Sequence, residues 1–360
     1  MAPAPAQVPR AAPWQWLLAL CAGLAQAASL ALPGSGQPVW WLQLASMAVL
    51  AWLLRRPMGW RRAAGLGWVF ATAWLVGTFW WLYISMHTYG GLAAALAAAA
   101  VLALAAFLGS YYAVVSGLYK ALAPKGRALD ALFFGAVWLL AELARGQWWT
   151  GFPWGAGGYA HVEGPLAALA RSVGVYGIGF AAAVLAMLLV QVRRSDLRNP
   201  RAWALALGVL ALAGGAALQR HCAVEQCQTP TAPAAPALPL VLLQGNIPQD
   251  EKFQPGSGVP MALQWYGERL TSLEGALVVA PETAIPLLPQ QLTPGYLDAI
   301  AQHYSQEGQA TLLGIPLGSL EAGYTNSVLG FAPGQAVPYR YDKHHLVPFG
   351  EFVPPFFRWF

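Results

Sequence analysis

Charge is what this sequence lacks most. Only 10% of its 360 residues are Asp, Glu, Lys or Arg, against 57% hydrophobic residues and 17 tryptophans, where a soluble domain carries about 25% charged residues. That shortage excludes a soluble globular enzyme, a disordered chain and a nucleic-acid binder. Cysteine is scarce too, with 3 in the chain. Cys222 and Cys227 lie in a stretch rich in Pro and Ala, and no second pair of Cys or His follows at a spacing that would hold a metal. A local disulfide between them is open in an oxidising compartment, whereas Cys21, inside an apolar run, reads as a small buried hydrophobe. The chain also offers no glycine loop to cradle a nucleotide phosphate.

Long apolar runs are what it has instead. Seven of them cover residues 14–32, 38–54, 63–85, 91–119, 129–144, 165–192 and 202–218, most near the ~20 residues that cross a bilayer core as a helix. Residues 1–220 therefore read as a membrane domain of about seven transmembrane helices. They hold 15 Lys and Arg against 4 Asp and Glu, and residues 221–360 hold 5 against 11, so the two regions face different environments. Arg10, the Arg55 to Arg62 cluster, the Lys120 to Arg127 cluster and the Arg193 to Arg201 cluster fall on alternate sides from Arg145 and Arg171. Basic loops stay on the cytoplasmic side, which puts the N-terminus in the cytoplasm and the acidic region in the periplasm of a Gram-negative inner membrane. Ala25-Gln26-Ala27 has the form of a signal-peptidase site, but the n-region before it is thin and the first run reads as a retained helix.

Trp148, Trp149, Phe152 and Trp154 surround a Gly-Pro turn between the fifth and sixth runs. They read either as an interfacial aromatic belt or as a lipid-facing lip beside an external active site. Glu142 and Arg145, three apart at the end of the fifth run, are expected to pair on one helix face near the interface. Residues 221–237 read as a linker. Beyond it, short apolar strands at 238–244, 276–280, 311–315, 325–331 and 337–341 alternate with helices at 260–273 and 294–306, which implies a layered α/β domain. Such domains place chemistry at the C-terminal ends of strands. Glu282 stands at one such end, where desolvation would suit it to general-base work. Lys343 stands at another and can stabilise an oxyanion, with Glu351 as a second carboxylate to hold the lysine charged.

Three segments carry a resemblance. Leu243-Gln244-Gly245-Asn246-Ile247-Pro248-Gln249, Ala280-Pro281-Glu282-Thr283-Ala284-Ile285-Pro286 and Tyr341-Asp342-Lys343-His344-His345-Leu346-Val347-Pro348-Phe349-Gly350-Glu351 resemble apolipoprotein N-acyltransferase, and the Gly151-Phe152-Pro153-Trp154 loop is similar to its membrane region. The resemblance implies a multi-span α-helical bundle followed, over residues 238–360, by a periplasmic nitrilase-type αββα sandwich. It implies ping-pong transfer of a fatty acyl group from a phospholipid, through a cysteine thioester, to the α-amino group of a diacylated apolipoprotein. Glu282 is then the general base, Lys343 the oxyanion stabiliser and Glu351 the supporting carboxylate. Phe253, Trp148, Trp149, Phe152 and Trp154 are candidate substrate contacts. No cofactor, metal or nucleic acid is implied, and the protein is expected to act as a monomer.

Two departures stand out. The family's nucleophilic cysteine lies downstream of the lysine segment, where this chain has none, so residues 1–360 are expected to be a truncated part of the fold and inactive alone. Phe253 stands where the family usually has tryptophan. The competing readings are a membrane-tethered amidase and a non-catalytic binder of lipid or lipoprotein.

Overall fold

The computed structural model describes residues 12–193, 195–198, 238–273, 277–306, 308–335, 337–347 and 351. The seventh apolar run, the linker at 221–237 and Cys222 and Cys227 lie outside these residues. The chain divides into two compact units, Met1–Thr231 and Ala232–Phe360.

The first unit is helical. Helices α1 (Pro13–Leu30), α2 (Trp40–Arg55), α3 (Trp60–Phe79), α4 (Trp81–Ile84), α5 (Ala94–Leu122), α6 (Arg127–Gln147) and α7 (Ala170–Val190) follow in order. They coincide with the first six apolar runs, because Ala and Leu favour helix and no polar face interrupts them. Pro13 sits in the first turn of α1, where its missing N–H costs nothing. The third run is not one straight helix: α3 and the segment Trp81–Tyr89 are bent by 50° at their junction. Among the described residues, two helices are long and apolar enough to cross a membrane, Ala94–Leu122 and Pro165–Val190, or three if the bent pair is one span. Helices α1, α2 and α6 have the expected positions but do not meet that standard.

Close backbone approach binds this unit. A Cβ on Gly67 would meet Ser116 Oγ and Tyr112 O of α5, and one on Gly23 would meet Phe70 O of α3, so glycine sets the α1–α3–α5 spacing, as small residues do where helices pack in lipid. The centre is aromatic: Trp74 stacks on Trp138 at 5.9 Å, and Tyr112 meets both rings. At one end of the helices, Asp130 takes hydrogen bonds from Tyr119 and Gln191, and Lys120 donates to Leu54 O in the last turn of α2 and to Arg56 O just past its end.

The second unit is a mixed sheet of five strands in sequence order: β1 (Leu240–Leu242), β2 (Leu277–Val279), β3 (Thr311–Ser319), β4 (Gly323–Phe331) and β5 (Tyr339–Asp342). β1, β2 and β3 are parallel, joined through α8 (Gly258–Ser272) and α9 (Tyr296–His303), whereas β3, β4 and β5 are antiparallel neighbours. The expected alternation of strands and helices therefore holds for the first three strands and gives way to a meander. Leu270, Val278, Ile285, Ile300, Tyr304, Leu313 and Ile315 are buried between the helices and the sheet. β1, β2, β3 and β5 all point the same way, so their C-terminal ends share one edge with the start of the reversed strand β4.

Candidate active site

Glu282 is delivered to that edge by a short sequence of local devices. Pro281, which has no N–H to extend the ladder, closes β2, and Thr283 adopts a left-handed φ of 53°. Ile285 then donates its N–H to Gly314 O on β3 at 3.1 Å and is itself fully buried. Position 314 tolerates only glycine, because a Cβ would collide with Pro281 O and lie 2.7 Å from Glu282 Cα. Lys343 arrives by register: β5 pairs Asp342 with Ser327, and the next step brings Lys343 N onto Asn326 O at 2.9 Å. Asp342 is fixed by Arg340, Ser327 and Thr325, whose hydrogen bonds pull its carboxyl down to about 2.

The side chains then form a closed ring of donors and acceptors. Lys343 Nζ donates to Glu282 Oε1 at 3.2 Å and to Glu351 Oε1 at 2.8 Å. Asn326 Nδ2 donates to the same two oxygens, at 2.8 Å to Glu351 and in a short contact to Glu282. Glu351 Oε2 accepts the Val347 N–H at 2.8 Å. Burial alone would raise the Glu351 carboxyl, but the hydrogen bonds from Lys343, Val347 and Asn326 outweigh it and hold it below its ordinary value. The bond to Glu351 in turn raises Lys343 against a smaller desolvation effect.

The two carboxylates are not equivalent. Both oxygens of Glu351 are occupied and its side chain is 20% exposed. Glu282 uses one oxygen, its Oε2 has no hydrogen bond among the described residues, and its side chain is 59% exposed. The desolvated setting expected for Glu282 at a buried strand end is thus corrected: Pro281 and Thr283 turn it outward. Among the described residues, the site thus holds one carboxylate with a free oxygen, a lysine with a third N–H to spare, and one carboxylate committed to keeping that lysine charged.

Glu282, Lys343 and Glu351, each singled out from the sequence, thus meet at one point, together with two neighbours that sequence reasoning missed. Asn326 is the second donor to both carboxylates, and its signal was an Asn at the start of an apolar strand, where that residue is disfavoured. Lys252, in the segment after β1, donates to Glu282 O at 3.2 Å; burial lowers its ammonium below the ordinary value, partly offset by the Glu282 charge. Phe253 is exposed, with Lys252 Nζ 5.8 Å from its ring centre. Among the described residues no cluster of His, Cys, Asp or Glu has the makings of a metal site.

In the helical unit, Trp148, Trp149 and Trp154 are exposed, and Phe152 is half-buried against Phe79 at 4.8 Å and Trp154 at 5.0 Å. Glu142 and Arg145 are both fully buried and form no direct ion pair, although each lies in the field of the other. Arg145 donates to Phe152 O at 2.8 Å, Trp154 O at 2.7 Å and Tyr112 OH at 3.2 Å. Glu142 accepts Gly157 N–H at 2.8 Å, and Gln43 donates to Gly157 O. Non-helical backbone inside a helical unit needs internal partners, and these side chains supply them.

Residues 12–188 match the sequence model of a family described as "Apolipoprotein N-acyltransferase N-terminal domain". The chain is 66% identical to the apolipoprotein N-acyltransferase of Verminephrobacter eiseniae, over 96% of this chain and 66% of that protein. It is 44% identical to the protein of that name from Ralstonia nicotianae, over 89% of this chain and 60% of the relative, and 37% identical to that of Bordetella bronchiseptica, over 95% and 68%. The chain thus spans about two thirds of the length of the curated relatives it matches.

Proposed function

The chain belongs to the apolipoprotein N-acyltransferase family, and from that premise we propose that residues 1–360 carry the base and the oxyanion cation of an enzyme that moves a fatty acyl group from a membrane phospholipid to the N-terminal α-amino group of a diacylated apolipoprotein. The observation that carries this reading is the asymmetry of the ring, in which, among the described residues, one carboxylate keeps a free oxygen and the other does not. In the first half-reaction Glu282 Oε2 takes the proton of a cysteine thiol as the thiolate attacks the phospholipid ester. The developing oxyanion accepts the third N–H of Lys343. Collapse breaks the ester C–O bond, the proton passes from Glu282 to the leaving alkoxide, and a thioester remains. In the second half the α-amine attacks the thioester, gives its proton to Glu282, and the proton returns to sulfur as the amide forms. The thiol itself is not among residues 344–360.

Both substrates are lipids, which accounts for helices apolar enough to enter a bilayer. In this reading residues 1–220 form about seven spans of an inner membrane, residues 238–360 belong to a periplasmic nitrilase-type domain, and Trp148, Trp149, Phe152, Trp154 and Phe253 contact lipid. The test uses protein from the complete reading frame that contains this chain. With labelled phospholipid and an apolipoprotein acceptor, Glu282→Gln and Lys343→Ala are each expected to abolish N-acylation. Retained activity in both overturns the proposal.

A further inference from the structure

Two carboxylates and one lysine do not by themselves decide which carboxylate works as the base. Lys343 donates to one oxygen of each, at 3.2 Å to Glu282 and 2.8 Å to Glu351, and the Val347 N–H fills the second oxygen of Glu351 alone. Asn326 is the remaining member of the ring, and it reaches the site from a different element, the start of β4, where Lys343 N is bonded to its carbonyl. Its side chain has one NH2 group, and both hydrogens are spent, one on Glu282 Oε1 and one on Glu351 Oε1.

We propose that Asn326 is a positioning residue for the base: by donating to Oε1 of Glu282 while anchored on Oε1 of Glu351, whose other oxygen the Val347 N–H fills, it closes the ring and holds Glu282 with Oε2 as the oxygen that takes the proton. The inference deepens the reading of Glu282 as base and rests on it. An amide suits the task for two reasons. It is neutral, so the ring of two carboxylates and one ammonium keeps a single net negative charge. It also offers two hydrogens at a fixed angle from a planar group, so the two acceptor oxygens are held apart with Lys343 between them. Without it, Lys343 would be the one remaining partner of the Glu282 carboxylate among the described residues, the carboxylate would rotate about the last side-chain bond, and either oxygen would be drawn to the ammonium. The charged groups around Glu282 are Lys343 after β5, Glu351 beyond it, and Lys252 after β1, whose Nζ bonds the Glu282 carbonyl and not its carboxylate.

The experiment compares Asn326→Asp, which keeps the shape but removes both hydrogens and adds a negative charge, with Asn326→Ala, which removes them without adding charge. Both are made in protein from the complete reading frame, beside Glu282→Gln, and melting temperature is recorded for each. The expected result is a fall in kcat of about 10- to 100-fold with KM little altered. The acid limb of the pH profile moves upward by about one unit in Asn326→Asp and by less in Asn326→Ala, since a carboxylate that loses donors and gains a negative neighbour binds its proton more tightly. A loss of kcat with an unmoved acid limb would assign Asn326 a merely structural part and overturn the proposal, as would an unaltered profile or failure of both variants to fold. Activity in Glu282→Gln would instead remove the base assignment. A dead Glu282→Gln beside Asn326 variants with the wild-type profile would overturn the role of Asn326 alone.

Discussion

Gly314→Ala is the sharpest probe of how Glu282, the proposed base, is held. An ideal Cβ there collides with Pro281 O and lies 2.6 Å from Thr283 N and 2.7 Å from Glu282 Cα. All three are backbone atoms, so no side chain can swing aside. Restoring an ordinary contact of about 3.4 Å requires the Pro281 to Thr283 segment to retreat by about 1 Å, since dispersion contacts turn repulsive below that range. The Ile285 N–H to Gly314 O bond, at 3.1 Å, and the Lys343 to Glu282 bond, at 3.2 Å, are then both stretched beyond useful length. Overpacking of this kind costs about 1–3 kcal/mol, and the lost backbone bond adds about 1 kcal/mol. If Glu282 is the base, its displacement by about 1 Å is expected to cost about 100-fold in rate. Thermal denaturation and labelled-phospholipid acyl transfer, on protein from the complete reading frame, read the two effects separately. Gly256→Ala is the control, because nothing lies within 4 Å of its Cβ and its backbone needs no left-handed φ; it is expected to be neutral or to stabilise by about 0.4–1 kcal/mol. A Gly314→Ala protein with wild-type melting temperature and wild-type turnover would show that the Glu282 segment is not seated on β3.

The sheet unit should also report its own electrostatics. Asp342 and Glu351 are both held below their ordinary values, so each contributes stability that is present above the ordinary carboxylate value and is lost as pH falls through the lowered one; for Asp342 that window runs from 3.8 to about 2. Melting temperature should fall in that window and fall less steeply in Asp342→Asn; an equal slope in both would refute the hydrogen-bond assignment. On the alkaline side, Lys343 contributes below its ordinary 10.5 and loses that contribution as pH rises through its raised value. Arg145→Met keeps the bulk of the side chain but strips donors from Phe152 O, Trp154 O and Tyr112 OH. Loss of about 3–5 kcal/mol in detergent is expected, and an unshifted melting curve would mean that the loop is held elsewhere.

The helices of the first unit were legible because hydrophobic runs translate directly into helix where Ala and Leu dominate. The bend between Phe79 and Trp81 was not, since nothing in a continuous apolar run marks where it breaks. Glu142 and Arg145 show a different limit. Their spacing places them on one face of α6, but the non-helical backbone at Phe152, Trp154 and Gly157 competes for them. Each of these buried backbone groups would cost about 1–3 kcal/mol if left without a partner, and these two side chains are the partners the fold gives them. Glu282 was found at its strand end, yet its exposure came from the left-handed Thr283 and the proline before it.

By itself the sequence determined the charge division, the run of helices, the positions of the strands along the chain and the three charged residues that meet at the sheet edge. Each depends on neighbours close in the chain: hydrophobic period, turn residues and strand ends. Only the tertiary structure decided that β4 runs against β5 and so carries Asn326 to Glu282 and Glu351. It also decided that Gly314 must lack a side chain and that, among the described residues, one carboxylate keeps an oxygen free. Those outcomes come from strand register and from contacts between residues about 30 to 60 positions apart, a distance at which no local propensity acts.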